Sequence, residues 1–300
     1  MIPVLLGVCL IIFVLFNLVA PDPALLKLGK HGTVEQIAQI NHELGLDRPL
    51  WVQYLDTVKS AFTLDFGRSW ATQQDILEMI KLGALPSLSI TGPLFLISTI
   101  LSIALALLVA FYRGKLIDRF VLLLSIAGMS IPSLAVVLFG QWFFGYYLSW
   151  FEISGYESGF PEFIPYVILP VFLYVFVNFG ADTRFYRTVI LDEVYQDYVR
   201  TARSKGLSET VIMFKHVLKN SMIPILTQII IQIPFLILGL LFAETFFSIP
   251  GLGAMIVNAV NNSDFPVIKA MAILSSIFFM LFGILTDVAY TLVDPRMRLK

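Results

Sequence analysis

The sequence predicts an all-α, polytopic membrane protein with six transmembrane helices and a small helical extracytoplasmic segment between the first two. Three observations set this class. Of the 300 residues, 58% are hydrophobic and only 14% charged, against roughly 45–50% and 25% in soluble domains. Six apolar stretches approach the roughly 20 residues that a helix needs to cross hydrocarbon. The Lys and Arg residues crowd into a few connecting segments rather than spreading evenly. The net charge of −1 offers no bulk attraction for nucleic acid, and the single Cys9 rules out an intrachain disulfide or a thiolate cluster.

The spans are expected at Ile2–Val19, Leu88–Phe111, Phe120–Tyr147, Ile164–Phe179, Ile223–Phe242 and Ala270–Val293. This divides the chain into a first helix over 1–20, an outer segment over 21–84, and a five-helix core over 85–300 with a long basic loop at 184–223. The first span reads as a retained anchor. Met1-Ile-Pro-Val4 has no basic n-region, and Leu18-Val-Ala20 is a poor cleavage site. In the fourth span, Pro165 and Pro170 are compatible with crossing, because neighbouring helices rescue the freed carbonyls.

Between spans one and two, Thr33-Val-Glu-Gln36 has the form of a capping box, in which hydroxyl and amide side chains each satisfy the other residue's backbone N–H. Val34, Ile37, Ile40 and Leu44 follow at helical spacing, and Gly45 can close that helix. Pro49 suits a first turn, with Val52, Leu55, Val58 and Phe62 forming a second apolar stripe. These stripes are expected to pack on the outer ends of the spans, or to form a docking surface for a soluble carrier.

Orientation follows from charge. Arg113, Lys115 and Arg119 occupy one short loop. Arg184, Arg187, Arg200, Arg203, Lys205, Lys215 and Lys219 occupy the long one, and Arg296, Arg298 and Lys300 the tail. These are thirteen of the 20 cations, and alternating spans place them all on one side. By the excess of basic residues on cytoplasmic loops, both termini and the basic loop face the cytoplasm.

The basic loop reads as helix, sharp bend, helix. Tyr198, Val199, Ala202 and Gly206 are expected on one face, with Arg200 and Ser204 pointing away. Gly206 is a helix stop, Ser208 caps the next helix with Glu209 in its first turn, and Pro224 opens the following span. Two readings stay open on charge and spacing alone: a rigid lever held by a soluble partner, or a solvated loop touching anionic lipid.

The segment resembles the coupling loop of ATP-binding-cassette importer permeases, whose pattern is Glu-Ala-Ala, three residues, Gly, nine residues, Ile-x-Leu-Pro. With Gly206 fixing the register, Arg200-Thr201-Ala202 stands at Glu-Ala-Ala, His216 at the Ile, Leu218 at the Leu and Lys219 at the Pro. Asp197-Tyr-Val-Arg-Thr-Ala-Arg-Ser-Lys-Gly-Leu207 and His216-Val-Leu-Lys-Asn-Ser-Met-Ile-Pro224 are similar to the dipeptide/oligopeptide branch, first-permease type. The likeness continues through Pro3-Val-Leu-Leu-Gly7, Leu44-Gly-Leu-Asp-Arg-Pro49, Ser130-Ile-Pro-Ser133, Glu244-Thr-Phe-Phe-Ser-Ile-Pro-Gly-Leu-Gly253, Asp264-Phe-Pro-Val267 and Val293-Asp-Pro-Arg296. The basic stretch usual before the first span in that family is not seen ahead of Pro3.

The resemblance implies a bacterial inner-membrane permease for peptides or related small solutes, working by alternating access. It implies two ATPase subunits that bind ATP and Mg, a second permease subunit and an extracytoplasmic solute-binding protein. This chain would bind no cofactor or metal and catalyse nothing, in keeping with its lack of a phosphate-cradling Gly-x-x-x-x-Gly-Lys-Ser/Thr loop. The ATPase-coupling residues would be Tyr198, Arg200, Thr201, Ala202, Arg203, Lys205, Gly206 and Leu207. Candidate pore or gate residues are Pro132, Pro234, Glu244, Pro250 and Gly251, with Asp287 a further acid beside a span. Ser248-Ile-Pro-Gly-Leu-Gly253 reads as a tight outer turn. A stand-alone ion-coupled carrier is the alternative, but it calls for ionisable residues inside the spans, which look nearly free of charge. An intramembrane enzyme is disfavoured because His31, His42 and His216 all fall outside the spans.

Overall fold

The computed structural model describes residues 2–19, 33–43 and 45–293. Lys27, Lys30, His31, the side chain of Asp287 and the tail cations Arg296, Arg298 and Lys300 lie outside the described residues. Among the described residues the fold is helical, with only an isolated Arg68–Asp75 bridge in place of any strand.

The elements are α1 (Ile2–Val14, continuing as a π turn through Val19), α2 (Val34–Glu43), α3 (Leu50–Thr63), α4 (Ile76–Phe111), α5 (Leu116–Ser130) and α6 (Ser133–Gly140, continuing as a π segment through Tyr147). They are followed by α7 (Ile164–Val194), α8 (Asp197–Ser204), α9 (Glu209–Val211), α10 (Leu218–Leu238), α11 (Leu241–Phe246), α12 (Leu252–Asn261) and α13 (Phe265–Val293). Four helical stretches are long and apolar enough to cross a membrane: Ile76–Phe111, Ile164–Val194, Glu209–Phe246 and Phe265–Leu285. The pair α5 and α6 makes a fifth if counted as one broken span, and the first helix is a shorter apolar one.

Several boundaries differ from expectation for local reasons. The expected third span, Phe120–Tyr147, is not straight: Leu116–Ser130 and Ser133–Tyr147 meet at 92°. Pro132 lacks an N–H and drives the preceding Ile131 into extended backbone (φ −93°, ψ 127°), so the helix stops and restarts. The second long helix starts at Ile76 rather than Leu88, because the Asp75 carboxylate accepts from Glu78 N at 3.1 Å and caps it there. The fourth runs on to Val194, past the expected Phe179, so Arg184 and Arg187 belong to a helix rather than a loop. Arg187 forks onto the Asp118 carboxylate (3.0 Å for both bonds), which also accepts from Gly114 N at 2.8 Å. That pair fastens α7 to the first turn of α5, and the Gly114 bond ties in the turn before it. Pro224 does not open its span but sits inside α10, in a helical run that starts at Glu209.

The capping box is formed as expected: Thr33 N donates to Gln36 Oε1 (3.0 Å) and Gln36 N to Thr33 Oγ1 (3.3 Å). The placement of α3 differs. Asn17 Nδ2 donates to Gln53 Oε1 (2.6 Å) and Tyr54 Oη to Leu6 O (3.1 Å), so α3 runs antiparallel beside α1 instead of covering its end. Ala61 is the buried contact, with Tyr54 and Val58 packed alongside Cys9 and Ile12, whereas Leu55 and Phe62 of the expected stripe are exposed.

Candidate functional site

The basic segment is built as a stapled bend. In α8, Val199 and Ala202 are buried in an apolar cluster with Ala106 and Ala110 of α4, Tyr186 and Ile190 of α7, and Ile212, Val217 and Ile225 of the following run. One small face of an eight-residue helix is therefore buried in a cluster to which three of the long helical stretches contribute. The helix ends in a Schellman closure, with Leu207 N donating to Ala202 O (3.3 Å) and Gly206 N to Arg203 O (2.9 Å). That closure needs Gly206 in the left-handed region (φ +77°), where a side chain is strained. A Cβ there would meet nothing, so Gly206 serves the turn and not a close approach. It is exposed beyond the end of α8, which corrects the expectation that it shares a face with Val199 and Ala202.

Across the bend, Arg203 forks onto Glu209 (2.7 and 3.1 Å), and Ser208 Oγ accepts from Val211 N (3.5 Å) to start the next helix. Tyr198 Oη donates to Glu193 at 2.6 Å. Burial, then that carboxylate, push its phenol up to about 12, so it stays a donor. The opposite face is open. Arg200, Thr201 and Lys205 are exposed, as are Tyr195, Leu207, Val211 and Phe214. Arg113 stacks over the Tyr195 ring at 4.7 Å, which brings the short basic loop to the same surface. An exposed apolar patch rimmed by cations marks an interaction surface. Of the expected coupling residues, Ala202 and Tyr198 thus face the spans, while Arg200, Thr201, Lys205 and Leu207 face away.

At the other end of the bundle, Glu244 is fully buried. Its carboxylate accepts from Ser87 Oγ (2.8 Å), Leu240 N (3.0 Å) and Ala254 N (3.0 Å), and Ser87 Oγ in turn accepts from Leu252 N (2.7 Å). Thr91 Oγ1 donates to Leu236 O (2.7 Å). Leu240 N, Leu252 N and Ala254 N are donors left over at the starts of α11 and α12, and Leu236 O is an acceptor left over at the end of α10. One acid and two hydroxyls of α4 therefore satisfy three helix ends, where a negative charge also suits the two N-termini. Gly239 (φ +76°) and Gly251 pass so close that a Cβ on either would strike the carboxylate. Glu244 and Gly251, expected as pore or gate residues, are parts of this knot; Ser248–Gly251 is the tight turn leading into α12, whose first two residues are Leu252 and Gly253. Pro250 is exposed on that turn, Pro234 is buried within α10, and Pro132 is exposed at the α5–α6 break.

A second knot lies nearby. Buried Asp264 accepts from the Ser69 hydroxyl, Trp70 N (3.0 Å) and Ala71 N (3.3 Å), tying the 66–75 loop to the start of α13. Neither Ser69 nor Ser87 was singled out from sequence, since a serine in a polar loop or in an apolar helix carries no local signal of a distant partner. Asp182 was missed for another reason. With α7 ending at Phe179 it would lie outside the span, whereas it sits within the long helix.

A helical bundle with apolar outer surfaces, helix ends knotted at one end and an exposed basic bend at the other defines a polytopic membrane protein. The chain belongs to the family described as the binding-protein-dependent transport system inner membrane component, matched over residues 102–299, with the family's N-terminal part matched over 1–88. It is 33% identical, over 99% of its length and 96% of the relative's, to a Sinorhizobium fredii protein named "Probable peptide ABC transporter permease protein y4tP". It is also 33% identical to the glutathione transport system permease protein GsiC of Salmonella typhimurium, and 32% identical to GsiC of Escherichia coli K12, covering 100% of this chain and 96% of each. It is thus a non-catalytic permease component of an inner-membrane importer.

Proposed function

We propose that the chain forms one half of the solute path of an ATP-driven importer for peptides, the class that includes glutathione, and that the 195–220 segment couples it to ATPase subunits. The names of its relatives support the substrate class. The observation that carries the coupling role is the two-sided build of α8. Val199 and Ala202 are locked under α4, α7 and the Glu209–Phe246 run, while Arg200 and Leu207 are presented outward. A push on the outer face would pass through the bend into the Glu209–Phe246 run and the apolar cluster it shares with α4 and α7.

The working assembly comprises this chain, a second permease subunit, two ATPase subunits carrying ATP and Mg, and an extracytoplasmic solute-binding protein. The clustering of Arg113, Lys115, Arg200, Arg203 and Lys205 at one end favours that end, and with it both termini, facing the cytoplasm. ATP-driven closure of the ATPases would pull α8 and open the path outward, and hydrolysis would reset it.

Purified with its partners and reconstituted in liposomes, the complex is expected to accumulate a radiolabelled dipeptide or glutathione only when ATP and the loaded binding protein are both supplied. Accumulation by this chain alone, without nucleotide, would instead establish the ion-coupled carrier.

A further inference from the structure

Between the long helices lies a cavity lined by an acid, Asp182, that has no cationic partner among the described residues. It measures about 230 Å3, lies between α4, α7 and α10, and is lined by Ser98, Asn178, Asp182, Gln232 and Phe235 among others, with no Lys, Arg or His. It reaches from Ser98, near the middle of α4, to Thr91, Leu236 and Leu240 at the edge of the Glu244 knot. Asp182 forms no ion pair among the described residues. Its recorded partner is Gln232, whose Nε2 donates to one carboxylate oxygen at 3.2 Å.

An ionised carboxylate offers about four acceptor positions, so one neutral donor leaves most of them open. The remaining wall is mostly apolar, through Leu94, Phe235 and Leu236, with the Thr91 and Ser98 hydroxyls donating to backbone carbonyls. A lone acid in such surroundings at membrane depth favours pairing with a cation, and ionisable residues placed there mark solute pathways. Asn178 lies one helical turn before Asp182 on the same face of α7, and it lines the same cavity as Asp182 and Gln232. The open acceptor positions of the carboxylate, in a cavity that the Asn178 amide also lines, suit an ammonium group, which has three donors. The cavity is smaller than the roughly 300–1,000 Å3 of a complete small-molecule site, so it fits one end of a longer solute.

We propose that Asp182, in the cavity it lines with Asn178 and Gln232, receives the ammonium end of the translocated peptide partway along the path. This rests on the peptide-importer reading above.

The test uses the assembled transporter in liposomes, with radiolabelled dialanine on its binding protein as probe, and compares Asp182→Asn and Asp182→Glu with wild type. Asp182→Asn should lower dialanine uptake at least about ten-fold. Subunit co-purification and ATP hydrolysis stimulated by the loaded binding protein should persist, and Asp182→Glu should recover part of the uptake. Wild-type uptake by Asp182→Asn overturns the inference. So does loss of the second permease subunit from that variant, which would show that the acid pairs with a neighbouring chain. Failure of the wild-type complex to move dialanine with ATP present would instead overturn the peptide-importer reading, and this inference with it.

Discussion

Replacing Glu244 with leucine is expected to leave little folded protein in the membrane. The carboxylate takes one hydroxyl and two backbone N–H donors, all at 2.8–3.0 Å. Leucine fills similar space but accepts nothing. Each donor left buried and unpaired costs about 1–3 kcal/mol, and the whole margin of a folded domain is about 5–15 kcal/mol. Glu244→Gln keeps one acceptor oxygen and should fall between leucine and wild type. Gly239→Ala and Gly251→Ala should resemble the leucine variant, since each sets a methyl group on the carboxylate. Membrane abundance and thermal unfolding in detergent rank the series. Equal abundance and equal midpoints for Glu244→Leu and wild type would show that the knot does not hold the helix ends.

Gly206→Leu is expected to separate ATP hydrolysis from transport. The left-handed backbone at Gly206 costs an L-residue about 1–2 kcal/mol. The side chain itself has open room, so the change strains the bend without jamming it. Relief of that strain would loosen the two bonds that close α8 and with them the Arg203–Glu209 fork. The fork is partly exposed and holds the bend only weakly by itself. A coupling free energy between sites is typically about 1–3 kcal/mol, so its loss should cut uptake about ten-fold or more while insertion and basal ATP hydrolysis persist. Uptake per ATP hydrolysed, measured in liposomes, is the readout, and a wild-type ratio in this variant would remove Gly206 from the coupling path.

The bend was legible in the sequence because its signals are local: a glycine for the left-handed residue, a serine cap three residues before Val211, and cations between apolar runs. The same holds for the Thr33–Gln36 box, whose partners lie one turn apart. Two features were not legible. The Glu244 knot joins residues 157 positions apart through Ser87, and nothing about a serine in an apolar helix announces such a partner. The break at Pro132 reads locally either as a tolerated kink or as a corner, and only packing decides, so Phe120–Tyr147 was expected as one span. The early end assigned to α7 had a further consequence. Hydropathy falls at Asn178 and Asp182, so an acid that lines a cavity between the spans was set outside them.

The central claim, that the outer face of α8 is held by an ATPase subunit while its inner face is locked to the spans, is tested most directly by thiol cross-linking in the assembled complex. In a Cys9→Ser background, Arg200→Cys and Leu207→Cys should cross-link to an ATPase subunit, with a yield that changes when ATP is added. Val199→Cys, on the buried face, should not. Cross-linking of none of these positions, together with labelling of Arg200→Cys by an impermeant maleimide added outside intact cells, would contradict the account.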